Sequence, residues 1–214
     1  SLHEHFDVDS KLGKFQNEDL HKQLFRMYVS ITPKQILDEV VFLYISTDDY
    51  GGKQSAAVYR DDINPFKYAL SIDPVDMVPS AESMDEMFHK ASMIHENAHI
   101  LSLGSSQSDN DIVTGFDFWV EPYTEVRKIT QEKESACGPN YFTTFAGCMK
   151  DNSYLNLFFQ KFWVDIYPSH KWEHEFDDYD KFLDHNALFY KKYETQFVTE
   201  YAASNPSEDF AESF

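Results

Sequence analysis

The sequence predicts an α+β fold, and three observations predict it. Three short β-branched or aromatic segments fall between residues 40 and 73, a capped amphipathic segment opens near residue 83, and helical periodicity dominates the rest. The expected arrangement is an N-terminal lobe, 1–103, holding the small sheet and the long helix, and a mainly helical C-terminal lobe, 104–214, with a cleft between them. A chain of 214 residues is long enough to bury a core, and 42% hydrophobic and 16% aromatic residues with only 7 Gly exclude a disordered or fibrous class.

Each element has its own signal. Phe15, Leu20, Leu24, Phe25 and Tyr28 recur at helical spacing up to Ile31, and Pro33 closes that helix. VVFLYIST (40–47), SAAVY (55–59) and KYALSID (67–73) read as strands separated by turn-forming residues, with KYALSID expected at the edge facing the cleft. SMDE at 83–86 has the form of a capping box, Ser83 and Glu86 each satisfying a backbone donor at a helix start. Met84, Met87, Phe88, Ala91, Ile94, Ala98 and Leu101 make the expected apolar stripe of that helix, and Gly104 its stop. Tyr123 to Ala136 is a further helix candidate, and residues 152–167 form an amphipathic segment that Pro168 is expected to end. QFVTEYA (196–202) reads as extended. NPSEDFAESF (205–214) opens a helix with Asn205 as cap and Pro206 in its first turn, and the chain stops inside it, an ending expected of a trimmed terminus.

Charge narrows the function classes. With 18 Lys and Arg against 37 Asp and Glu, a formal net charge of -19 repels nucleic acid and anionic membranes. The longest apolar run, VVFLYI, is strand-sized and predicts no membrane insertion. Cys137 and Cys148 close a short loop in the manner of an extracellular disulfide, which predicts a secreted protein; two reduced core thiols are the competing reading.

The long helix carries His95-Glu96-Asn97-Ala98-His99, the H-E-x-x-H pattern. Residues four apart share a helix face, so two imidazoles one turn apart can direct nitrogens at one zinc ion while Glu96 reaches the water held on its open side. Polar groups on a half-apolar helix need partners, and a metal supplies one. The segment after His99 lacks the glycine and histidine of HExxHxxGxxH, which excludes a metzincin.

HENAH at 95–99 together with EYAASNPSEDFAESF at 200–214 resembles the gluzincins, zinc peptidases whose third ligand is a glutamate on a later helix, and among them the bacterial group of anthrax lethal factor and Pro-Pro endopeptidase. The resemblance covers about Tyr68 to Leu103 and the last dozen residues. It implies a zincin-like α+β fold, Zn2+ held by His95, His99 and Glu208, and a peptide or protein substrate. In that group a tyrosine that assists catalysis precedes the ligand glutamate by seven residues, which picks out Tyr201. Glu212, one turn after Glu208, is the alternative third ligand, and Asp209 and Glu212 are candidates to orient the histidines.

The expected activity is that of a zinc metallopeptidase, with Glu96 as general base and Tyr201 hydrogen-bonding the oxyanion. Two rivals stand beside it: a non-catalytic zinc-braced binding or toxin-like module, and an amidase acting on non-protein or cell-wall peptides. Other signals are weaker. His170 to His174 spells the inverted H-x-x-E-H, but it follows Pro168 and runs into acidic residues without an apolar stripe. DNDIVTGFD (109–117) lacks the order and closing glutamate of a calcium loop. His3, His5, His21, His89 and His185 are expected to be structural or superficial.

Overall fold

A computed structural model describes residues 13, 15–46, 55–61, 64, 67–74, 86–109, 131–143, 146–170 and 179–214. It is a mixed α+β chain that divides into two compact units, Ser1–Asn97 and Ala98–Phe214.

In the first unit, helix α1 spans Glu18–Ile31. The Asn17 side chain accepts hydrogen bonds from the Asp19 and Leu20 N–H groups, satisfying donors that a helix start leaves open. The Thr32 N–H closes the far end on the Tyr28 carbonyl, and Pro33 follows; one further turn, α2 (Lys34–Leu37), leads to the sheet. Strands β1 (Val40–Ile45), β2 (Ala56–Arg60) and β3 (Tyr68–Ile72) stand in the order β1-β3-β2, with β1 parallel and β2 antiparallel to β3.

The period-2 alternation of strands sorts their side chains. Leu43, Ile45, Leu70, Ile72, Ala56 and Val58 face a core that they share with Leu24, Met27 and Tyr28 of α1 and with Met93. Phe42, Tyr44 and Tyr59 lie exposed on the opposite face. The three strands fall on the segments their composition predicted, but the edge assignment of KYALSID is corrected. β3 is the central strand, because Leu70 and Ile72 are both fully buried and both flanks of the strand are hydrogen-bonded. A central strand has no free ladder groups to offer a peptide.

Helix α3, Glu86–Leu103, begins at the last residue of the predicted capping box; Ser83 and Met84 lie outside the described residues. The boundary between the units falls inside this unbroken helix. Its predicted stripe is corrected over the first turns, where Phe88, Ala91 and Ile94 are exposed and Met87 is 78% exposed while His89 and Met93 are buried; Ala98, further along, is buried as expected. Met93 belongs to the core with Leu70 and Ile72, and one turn later Asn97 accepts from the Tyr28 hydroxyl at 3.0 Å and donates to the Thr32 hydroxyl at 3.0 Å. Specific partners, rather than the count of apolar residues, decide which side is buried. Among the described residues no helix is long and apolar enough to cross a membrane.

The second unit carries a small antiparallel sheet that the sequence did not announce, β4 (Ser108–Asp109), β5 (Phe142–Thr143) and β6 (Gly147–Met149) in the order β4-β6-β5. Strands of two or three residues are too short for a periodic signal. Gly147, at φ 83°, opens β6 in a conformation that few residues other than glycine adopt. Cys137 and Cys148 are disulfide-bonded, with Cα atoms 5.5 Å apart, which ties the end of the helix at 131–136 to β6. The rest of the Tyr123–Ala136 helix candidate lies outside the described residues.

Ser153 caps α4 (Tyr154–Phe158), which passes directly into a π-helical turn, Phe159–Trp163, where the Val164 N–H bonds the Phe159 carbonyl. Four residues of an α-helix overshoot a full turn by about 40°, so a wider turn lets Leu155, Phe159 and Trp163 stay together on the buried side. Pro168 does not end this helix. It is the second residue of a new one, α5 (Tyr167–His170), where the missing N–H is one that has no partner within the helix in any case.

Helix α6 (Tyr179–Tyr193) and the 3-10 turn Glu194–Gln196 follow. The expected extended segment 196–202 is instead a set of turns: Phe197 enters the core, and the Thr199 hydroxyl accepts from the Ala202 N–H at the start of a 3-10 turn, Ala202–Ser204. Helix α7, Pro206–Ser213, closes the chain with Asn205 as its cap, as its composition predicted. Trp163, Phe159, Phe189 and Phe197 centre this unit's core, with Ala202 and Ala203 packed among them.

Replacing Cys137 and Cys148 by Ser opens a loop with a sequence separation of 11, which by loop entropy costs about 3 kcal/mol of stability. Denaturant unfolding of the double variant against the oxidised protein measures it, and an unchanged midpoint would show that the bond contributes nothing to the fold.

Candidate metal centre

The helix that carries H-E-x-x-H keeps its regular turn through the motif, so His95 and His99 hold their one-turn spacing. The partner they meet comes from far along the chain. Asn205 accepts from the Ser207 N–H at 2.9 Å and from the Glu208 N–H at 3.0 Å, and with Pro206 pre-set in φ this fixes the first turn of α7. A capping-box glutamate at this third position turns back to the cap residue. The Glu208 carboxylate instead approaches His99, with Oε2 3.2 Å from Nε2.

One ligand atom from each of His95, His99 and Glu208 lies within 4.8 Å of the others. Two imidazole nitrogens and a carboxylate oxygen are the donor types that zinc takes, and three protein ligands leave the fourth position that a catalytic site keeps open. The donor set therefore fits the ion that the motif implies. Glu96, next to His95, is buried and stands outside this ligand group. The Tyr28 phenol, close enough to sense the Glu96 charge, is pushed up to about 12, by burial first, with a hydrogen bond to Thr32 opposing and Glu96 adding.

Tyr201 is exposed, just ahead of the 3-10 turn. Its neighbourhood is tied to α7 through Thr199, whose hydroxyl donates to Glu212 Oε2 at 2.9 Å. Glu212 is thus a tether for the Tyr201 turn, while Glu208 is the glutamate that stands in the group able to hold a metal. Asp209 does not orient a histidine either. It is buried and accepts from the Trp163 indole N–H at 2.7 Å. Burial pushes its carboxyl up to about 6, opposed by the hydrogen bonds from Trp163 and Ser213, with the Glu212 charge adding.

The contact with the other nitrogen of His99 comes from a residue that no sequence pattern singled out: the Ser207 hydroxyl lies 3.3 Å from Nδ1, and both residues are buried. The only available signal was positional. A polar residue at the second position of a capped helix, just before a ligand glutamate, stands beside whatever that glutamate binds.

His170 of the inverted motif is a core residue, 5% exposed, with its ring against Trp163 and Phe189; Glu173 and His174 lie outside the described residues, as does DNDIVTGFD beyond Asp109. Burial pulls the His170 imidazole down to about 4, with the Ser204 and Ala203 backbone opposing and His185 adding. His21 and His185 each bind a backbone oxygen, of Phe15 and His170, while His89 is buried. No protein-family model, curated protein or solved structure matches the chain.

Because the folded state holds His170 neutral below its ordinary value of 6.5, its contribution to stability is complete above pH 6.5 and is lost as pH falls through about 4. The loss amounts to roughly 3 kcal/mol. Urea unfolding across that window should show it and His170→Phe should flatten it; equal slopes for both proteins would exclude His170 as the cause. A separate test addresses Asp209: Trp163→Phe keeps most of the ring but leaves the carboxyl without its indole donor, which costs about 1 to 3 kcal/mol. An unaltered denaturation midpoint would dismiss that hydrogen bond.

Proposed function

We propose that this chain is a zinc-dependent peptidase of the gluzincin type with a zincin-like α+β fold, and that it works outside the cell. The observation that carries the reading is the meeting of His95, His99 and Glu208, the last 109 residues beyond His99, as one group of potential ligand atoms. A chance H-E-x-x-H has no reason to attract a carboxylate from the other end of the chain. The Cys137–Cys148 disulfide supports the extracellular setting, since such bonds persist in oxidising compartments.

His95 and His99, each through an imidazole nitrogen, and Glu208, through a carboxylate oxygen, would hold the metal. Zinc in such a site supplies Lewis acidity, which acidifies a coordinated water and polarises a substrate carbonyl. Glu96 acts as the general base, taking a proton from the attacking water and passing it to the leaving amine. Its carboxylate is buried beside His95, at the second position of the motif. Tyr201 donates a hydrogen bond to the oxyanion, a kind of contact that contributes about 3 to 4 kcal/mol to transition-state stabilisation in other enzymes. The substrate is a peptide or protein.

Digestion of a diverse peptide mixture, read by mass spectrometry, tests this. Wild type should cut, chelator-stripped protein should be silent until zinc is restored, and Glu96→Gln should bind zinc while losing at least about 10²-fold in rate. A Glu96→Gln protein that cuts as fast as wild type would overturn the mechanism; zinc bound tightly by wild type without any turnover would favour the zinc-braced binding module.

A further inference from the structure

We infer that Ser207 is a positioning residue for His99, accepting the Nδ1 proton and thereby aiming the Nε2 lone pair at the metal position beside Glu208. The inference rests on the metal reading above and deepens it. Ser207 Oγ lies 3.3 Å from His99 Nδ1 while Glu208 Oε2 lies 3.2 Å from Nε2, so consecutive residues of α7 address the two nitrogens of one ring.

A neutral imidazole has one N–H and one lone pair. For Nε2 to serve as a ligand, Nδ1 must carry the proton, and an acceptor for it fixes both the tautomer and the ring orientation. Carboxylates and backbone carbonyls are the usual acceptors; here a hydroxyl takes the role.

Ser207 is suited to it by how firmly it is held. Its N–H is bound to the Asn205 side chain, Pro206 restricts the backbone before it, and Asp209, two residues on, is anchored to the Trp163 indole. Being buried, the Ser207 hydroxyl meets little competition from water for the Nδ1 proton. A neutral acceptor also leaves the net charge around a dication set by Glu208 and the histidines, so Ser207 acts on geometry and tautomer rather than on Coulomb attraction.

The test is equilibrium competition for Zn2+ against a chromophoric chelator, using full-length wild type, Ser207→Ala, Ser207→Thr and His99→Ala, with metal-free melting temperatures recorded in parallel. Ser207→Ala should weaken zinc binding by about 10- to 100-fold without lowering the metal-free melting temperature, and Ser207→Thr, which keeps the hydroxyl, should restore affinity to within about threefold of wild type. In zinc-loaded wild type, NMR should show a His99 Nδ1–H resonance protected from exchange, and Ser207→Ala should lose that protection.

Zinc affinity in Ser207→Ala equal to wild type, or a His99 proton found on Nε2 in the loaded protein, overturns the assignment while leaving the metal site standing. Wild type binding no more zinc than His99→Ala overturns the metal reading and this assignment with it.

Discussion

The Trp163 indole and the Asp209 carboxylate meet at 2.7 Å inside the aromatic core of the second unit, and the position of Glu208 depends on that contact. An eight-residue helix is too short to be stable alone. Its shape comes from the Asn205 cap, but its rotation about its own axis needs an external reference, and Asp209 provides one by pointing into the core. With Asp209 fixed, residues 207 and 208 turn toward His99, and Glu212, one turn past Glu208, reaches Thr199. Three further contacts of one short helix therefore follow from a single buried hydrogen bond. An aspartate is an expensive choice for such an anchor, since its charge is desolvated, and the upward shift of its carboxyl reflects that cost.

The motif helix shows the complementary arrangement in the first unit. Asn97 stands between the second and fifth residues of the motif and spends both ends of its amide on Tyr28 and Thr32 at the end of α1. A buried amide has donor and acceptor geometry that a methyl group lacks, so it specifies a rotation as well as a contact. The motif's variable position thus has a fixed duty in this chain.

What the sequence revealed and what it hid divide along the range of the interactions. The H-E-x-x-H spacing, the Asn205–Pro206 start and the Asn17-capped first helix are local patterns, and the residues concerned sit in the expected elements. The three strands were legible from composition. Their order was not, because strand order is a choice among distant partners, and so Tyr68–Ile72 emerged in the centre of the sheet. The buried side of the motif helix was misread for the same reason: Met87, Phe88 and Ile94 are apolar yet exposed, while Met93 shares a core with Leu70 and Ile72. At 196–202 a β-rich composition yielded to one threonine hydroxyl capping a turn. In the candidate site, Glu208 was singled out by the gluzincin resemblance, in which the ligand glutamate follows a tyrosine by seven residues as Glu208 follows Tyr201, whereas Ser207 required knowing which face of the last helix turns toward His99.

The wide turn at Phe159–Trp163 has a consequence for descent as well as for packing. A π turn accommodates one more residue between hydrogen-bonded groups than an α turn, so it marks a place where a helix can gain or lose a residue without breaking at either end. Here the register that follows it delivers Trp163 to the core and, through Trp163, sets the last helix. In a chain shorter by one residue at this point, the indole would leave its seat by roughly a quarter of a turn. When related sequences are aligned, a gap within 159–163 would therefore mark lineages that must hold the counterpart of Glu208 by some other anchor.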